Sequence, residues 1–391
     1  MPISTLRPTH VGHFALILPL FVTLLALGWD SASVHAATNQ PDQVHEGTAV
    51  REAFGMEYSV PNGPRNLVAE GPGRIWYSAT DADGIGVLEV ITNTEGITDT
   101  AGTNVRYRTE FYGLAQNSEV YDLVYANNAV WFTLRGMRQL GRIDTITREI
   151  KLYTLLTRGA APTGIDVGES GELWIAQSNG RISRFDPTTE TFDEFLLPDR
   201  LAATPYVEDL VYQNSRNIWF TMPDGNRVVV YNSVTDSFFD RPTGEIRPTN
   251  IDLDPEGRPW VAAYGSSRVG RYTPTTVSTW IWFNTPSYNP ETDPDSQTGP
   301  ASVLVFDDAK GIRQTWVTES IVGRAGRIEI VNGFQVANRE KLALATPPGT
   351  PWGIILAPDD HIWISDLSRD VLYEVTEPYI YRVYAASIYK D

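Results

Sequence analysis

The 391-residue chain contains no cysteine and only five histidines. Without cysteine there is no disulfide, and a lipid-modified cysteine anchor is excluded. Three of the histidines, His10, His13 and His35, fall in the N-terminal 36 residues, leaving His45 and His361. Positive charge is scarce as well: 31 Lys and Arg stand against 48 Asp and Glu, a formal net charge of −17. That balance argues against nucleic acid or an anionic membrane surface as a partner. No segment carries a long helical period. The one long apolar run, residues 14–28, has 15 residues, short of the ~20 that a membrane-spanning helix needs. Arg7 precedes it and Val34-His35-Ala36 follows it, the pattern of a cleaved signal peptide over 1–36. The expectation is therefore export from a bacterial cell with no permanent membrane span. Residues 37–52 then form an N-terminal tail and 53–391 the folded domain.

Length alone suggests two or three domains, but a repeat overrides that prior. A tryptophan followed by an apolar and then a small residue occurs at Trp76, Trp131, Trp174, Trp219, Trp260, Trp316 and Trp363. The intervals of 55, 43, 45, 41, 56 and 47 residues cluster near one four-stranded propeller blade. Nine residues before the tryptophan there is usually an Ile or Leu after a Pro-x-Gly/Asn-like turn, best shown by Pro64-Arg-Asn-Leu67, Pro162-Thr-Gly-Ile165, Pro248-Thr-Asn-Ile251 and Pro351-Trp-Gly-Ile354. Short alternating runs separated by Gly, Asn, Asp and Pro complete each repeat. The expected fold is all-β, a seven-bladed propeller of four-stranded antiparallel blades. The seven tryptophans are expected between blades, and the small residue two after each suits the crowding near the axis. Two segments compete to close the ring: residues 54–60, an outer strand without its own blade, and residues 379–384.

Pro-x-Gly-Ile, then Gly-x-[Leu/Ile]-Trp, then Gly-Arg-Ile as in Leu140-Gly-Arg-Ile143, resembles the streptogramin B (virginiamycin B) lyase family. The resemblance covers residue 54 to the end and implies a seven-bladed propeller. It also implies a magnesium-ligating Glu and a general-base His in the last blade, and here the motif is not matched. Thr350 stands at the Glu position, Trp352 at the His position and Leu367 at that of a second Glu. Ala301 falls where the family has a substrate-binding His and Arg65 where it has a binding Tyr, while Glu319 is retained. Eliminating an ester oxygen needs a base with a pKa near neutrality at the reacting proton. Neither His45 nor His361 lies at the axial end of an inner strand.

A propeller binds ligands at the mouth where inner strands begin and second strands end. The inner-strand positions there are Arg65, Tyr121, Thr163, Glu208, Thr249, Ala301 and Trp352, with Asn250 adjacent; Gln177, Glu319 and Asp366 end second strands. Three readings stay open for this ring. It lines a wet channel, it holds a small molecule or an extracellular protein, or Glu208, Asn250 and Glu319 hold Ca²⁺ or Mg²⁺. The candidate ligand-binding set is Arg65, Tyr121, Glu208, Asn250, Glu319, Trp352 and Asp366, with no catalytic residue assigned. Asp81 to Gly84 and Asp252 to Gly257 resemble calcium loops but read as ordinary hairpin turns. The functional expectation is an exported, monomeric binding propeller. A diverged lyase and a metal-dependent lactonase-like hydrolase remain the alternatives.

Overall fold

The computed structural model describes residues 40–52, 54–91, 105–201, 203–244, 246–274, 279–331, 334–335, 340–344 and 348–375. The expected signal peptide, the polar insertion over 93–104 and the competing segment 379–384 lie outside them. Seven antiparallel sheets form the blades, and in each the inner strand is followed in the chain by the second and third strands. These inner strands are Pro64–Gly71, Val120–Ala126, Pro162–Val167, Leu210–Asn214, Pro248–Leu253, Pro300–Asp307 and Pro351–Leu356. We number the blades 1 to 7 in that order.

Gly55–Ser59 closes the ring. It pairs antiparallel with Val371–Val375, the third strand of blade 7, with Tyr58 opposite Leu372. The Tyr58 hydroxyl donates to Glu374 at 2.5 Å, and the other Glu374 oxygen lies 2.6 Å from Nδ1 of His361. One N-terminal strand is thus bonded to the C-terminal part of the ring across a buried carboxylate. The supposed tail contributes more than expected. Gln43–Thr48 adds a fifth strand to blade 1 along Arg106–Gly113, and Val50–Glu52 a fifth to blade 7. Almost every side chain of Gln43–Thr48 is exposed, so this edge strand has no apolar alternation by which a sequence could reveal it.

Each of the seven tryptophans sits in a different one of seven apolar clusters, and each cluster joins two neighbouring blades. Trp76, Trp260, Trp316 and Trp363 are fully buried. The small residue two positions on has a second task beyond fitting a crowded axis. Six inner strands carry a register shift immediately after their first residue, which frees backbone groups from the ladder. In blade 2 the Thr133 hydroxyl accepts the Asp122 N–H and donates to the Thr163 carbonyl of blade 3 at 2.6 Å. Thr221 does the same from Asp209 to Thr249, Thr318 from Ser302 to Trp352, and Ser365 from Gly353 to Arg65. Blades 3 and 5 carry Ala176 and Ala262 instead. There the inner-strand hydroxyls of Thr163 and Thr249 reach the next blade, at Val207 and Ala301. A hydroxyl-to-carbonyl bond therefore links blade to blade around much of the ring.

Acids add a further set of links. Asp122 accepts the Ile165 N–H of blade 3, Asp166 the Tyr212 N–H of blade 4, Asp209 the Ile251 N–H of blade 5 and Asp252 the Val305 N–H of blade 6. Asp252 is thus an inner-strand link and does not belong to a hairpin turn. Burial dominates these carboxyls: it raises Asp122 and Asp166 to about 6, Asp252 to about 7, and Asp209 well above the usual range. Each holds its proton in the folded state at a pH where the unfolded chain, with a carboxyl pKa near ~3.9, has lost it. Stability therefore falls as pH rises across this window. His361 acts in the same direction. Its hydrogen bond to Glu374 raises its pKa, so its contribution is complete below ~6.5 and lost as pH rises through the folded value. Asp144, lowered to about 2 mainly by the Thr147 N–H, acts oppositely and only under strong acid. The melting temperature is expected to be higher near pH ~5 than at pH ~8. A melting temperature that climbs between those values contradicts this assignment.

Candidate functional site

In blades 1, 2, 5 and 7 the register shift turns the second residue of the inner strand toward the mouth, and the loops that leave second strands or enter inner strands form its rim. Arg65 of blade 1, Tyr121 of blade 2, Glu208 before the blade 4 strand, Thr249 of blade 5 and Trp352 of blade 7 meet there. They floor a mouth of about 580 Å³ whose rim carries Arg135, Tyr206, Pro223, Asp224, Arg247 and Tyr264. The same five residues roof a narrower cavity of about 70 Å³ along the axis, lined by Asn66, Asp122, Asp209, Asn250 and Ser302 among others.

Arg65 is the hub of the floor. Its guanidinium carbon lies 4.1 Å from the Tyr121 ring centre and 4.7 Å from that of Trp352, so it is held against two aromatic faces. One of its nitrogens donates to the Tyr121 hydroxyl at 2.9 Å and lies 3.6 Å from Glu208. The Tyr121 hydroxyl in turn donates to Glu208. Four blades are thereby joined by one cation, one carboxylate and two rings. Desolvation pushes the Tyr121 phenol well above its usual value and takes Tyr206 up to about 12. Both are therefore hydrogen-bond donors at neutral pH and not phenolate bases.

Five of the seven residues expected to bind ligand, Arg65, Tyr121, Glu208, Asn250 and Trp352, line these two cavities. Asn250 lies in the deeper one, where it donates to Asp209 and accepts from Val303. Glu319 and Asp366 do not line either. Glu319 is fully buried and accepts the Ser287 N–H at 3.0 Å and its hydroxyl at 2.7 Å. Asp366 is fully buried too and accepts the Thr350 N–H at 2.8 Å. Gln177, at the same strand position, is turned toward Ser183. The reason is alternation along the strand: residues three after the tryptophan occupy the face opposite those two and four after it. Arg135 and Tyr264 stand four after their tryptophans and do reach the mouth. The position aligned with Leu367, read through every blade, was the signal that names them.

A divalent cation fits poorly here. Glu208 is engaged by Arg65 and Tyr121, Asn250 by Asp209 and Val303, and Glu319 is turned away. Thr350 and Leu367, which the sequence resemblance sets at a magnesium position, supply no carboxylate. Asp366 keeps one buried oxygen without a partner, but no group of three acid or His ligands forms around it among the described residues. The group that does form, Asp359, His361 and Glu374, flanks the ring-closing strand at the other end of blade 7.

Among solved structures the chain is similar to a streptogramin B lyase, at 20% identity over 85% of this chain and 97% of that one, with a TM-score of 0.64. A catalytically inactive His-to-Ala virginiamycin B lyase from Staphylococcus aureus with quinupristin matches at 21% identity, 85% and 99% coverage and a TM-score of 0.64. An extracellular domain of a hybrid two-component system from B. thetaiotaomicron matches at 13% identity, with 81% of this chain and 42% of that one and a TM-score of 0.58. No curated protein sequence matches the chain. A profile described as the Virginiamycin B lyase family matches residues 47–264. More than half of the sequence is thus accounted for, and the chain belongs to the virginiamycin B lyase family.

Proposed function

We propose that this protein is an exported propeller that binds a ligand at its mouth without performing the elimination associated with its family. The observation that carries this reading is Trp352. It stands where the family motif has its general base, and its ring packs on the Arg65 guanidinium, itself at the position of a binding Tyr. An indole cannot accept the reacting proton, and the phenols beside it titrate too high to replace it. The raised carboxyls Asp122 and Asp209 lie below the floor and are committed to backbone N–H groups of the next blade. What remains is a concave, aromatic and charged mouth on a rigid ring, which suits recognition.

Restoring the missing groups tests the reading. Trp352→His alone is expected to leave a streptogramin B antibiotic intact in millimolar magnesium, because a base without its metal supplies only part of the ~10²–10⁴-fold due to proton transfer. Trp352→His combined with Thr350→Glu and Leu367→Glu is expected to open the ring measurably, read as a linear product by chromatography. Full activity from the single change contradicts the proposed loss of both groups.

A further inference from the structure

The whole protein is acidic, with a net charge of −17, yet its mouth is lined by three arginines, Arg65, Arg135 and Arg247, against two acids, Glu208 and Asp224. Glu208 is already satisfied by Arg65 and Tyr121. Arg135 and Arg247 form no ion pair among the described residues. The Arg135 guanidinium carbon instead lies 5.3 Å from the Tyr121 ring centre and 5.9 Å from that of Tyr206. Arg247 is exposed, and its carbonyl accepts the Tyr264 N–H, which fixes the two on one stretch of rim. The Tyr264 and Trp352 rings face the same space with centres 6.3 Å apart and planes at 41°.

An acidic protein whose aromatic mouth holds two guanidinium groups without an ion pair among the described residues presents cationic donors to whatever enters. Guanidinium is a planar fork suited to a carboxylate, sulfate or phosphate, and it is only weakly hydrated. The inclined indole and phenol rings offer apolar faces to a planar group beside it. We propose that the mouth takes an aromatic acid, its ring against Trp352 and Tyr264 and its anionic group at Arg135 and Arg247. This rests on the reading of the mouth as a ligand site and assigns the class of ligand.

Three probes of one shape and different charge separate the two ideas: naphthalene-2-carboxylate, 2-naphthalenemethanol and 2-naphthylmethylammonium, titrated into the purified protein by tryptophan fluorescence. The carboxylate is expected to bind at least about tenfold more tightly than the alcohol, and the ammonium most weakly. Arg135→Gln and Arg247→Gln should each weaken the carboxylate about tenfold and the alcohol by a much smaller factor. Thermal melting of both variants confirms that they fold, and the probe series on the unaltered protein gives the answer without them. Equal binding of carboxylate and alcohol, or a preference for the ammonium, overturns the aromatic-acid assignment while leaving a ligand mouth. No binding by any probe, or binding untouched by Trp352→Ala, overturns the ligand mouth and the assignment with it.

Discussion

A chain that begins at Pro61, without the ring-closing strand, is expected not to reach a stable fold. Phe54, Met56, Tyr58 and Val60 are all nearly inaccessible, and full burial of each such side chain contributes about 1.5–3 kcal/mol. Their sum is comparable with the whole stability of a typical domain, ~5–15 kcal/mol. The loss extends beyond area. Glu374 would keep His361 but lose the Tyr58 donor, and Val371–Val375 would become an open edge inviting aggregation. The measurement is a circular-dichroism melt of truncated and longer chains at equal concentration. A truncated protein that melts cooperatively within a few degrees of the longer one would show that the ring does not depend on this strand.

The second large effect is expected at a single residue. Trp260→Ala should cost ~3–5 kcal/mol, the range for deleting a buried aromatic side chain. Trp260 is fully buried between blades 5 and 6, stacks on Phe283 at 5.5 Å and 19°, and donates to Asp254 at 3.0 Å. Removing it opens a cavity and takes one donor from a buried carboxylate that Arg258 also holds. Trp352→Ala is the control, because that ring is only partly buried at the mouth and belongs to no interblade cluster. Urea titrations of both variants decide the matter. A loss below about 1 kcal/mol for Trp260→Ala, the scale of surface changes, would mean that the interblade clusters do not hold the ring.

These two effects also show how much the sequence discloses. The tryptophan repeat is an unambiguous period, and each copy lands in its own interface because the same strand position always faces the next blade. Residues 54–60 are legible as a spare strand for a related reason: Met56, Tyr58 and Val60 are buried, with the half-buried Glu57 and the exposed Ser59 between them. Gln43–Thr48 was not legible, since a strand at the outer edge of a sheet has no buried face. At the mouth, the inner-strand positions could be read by alignment with one another. Glu319 and Asp366 have the chemistry of ligands, but strand parity turns them into the blade and away from the mouth. Parity selects Arg135 and Tyr264 for the mouth instead. The Thr163 and Thr249 hydroxyls that serve blades lacking a Thr or Ser after the tryptophan become meaningful only once the register shift is seen. No local pattern announces that shift.

Central to this protein is the proposed separation of binding from chemistry at its mouth. Its most direct test is to incubate the purified, unaltered protein with a streptogramin B antibiotic in millimolar magnesium and follow the linear product by chromatography. The predicted result is a rate no different from buffer alone. Linearisation that is abolished by Glu208→Gln and retained in His361→Ala would contradict it, and would place a working carboxylate base on the floor now assigned to recognition.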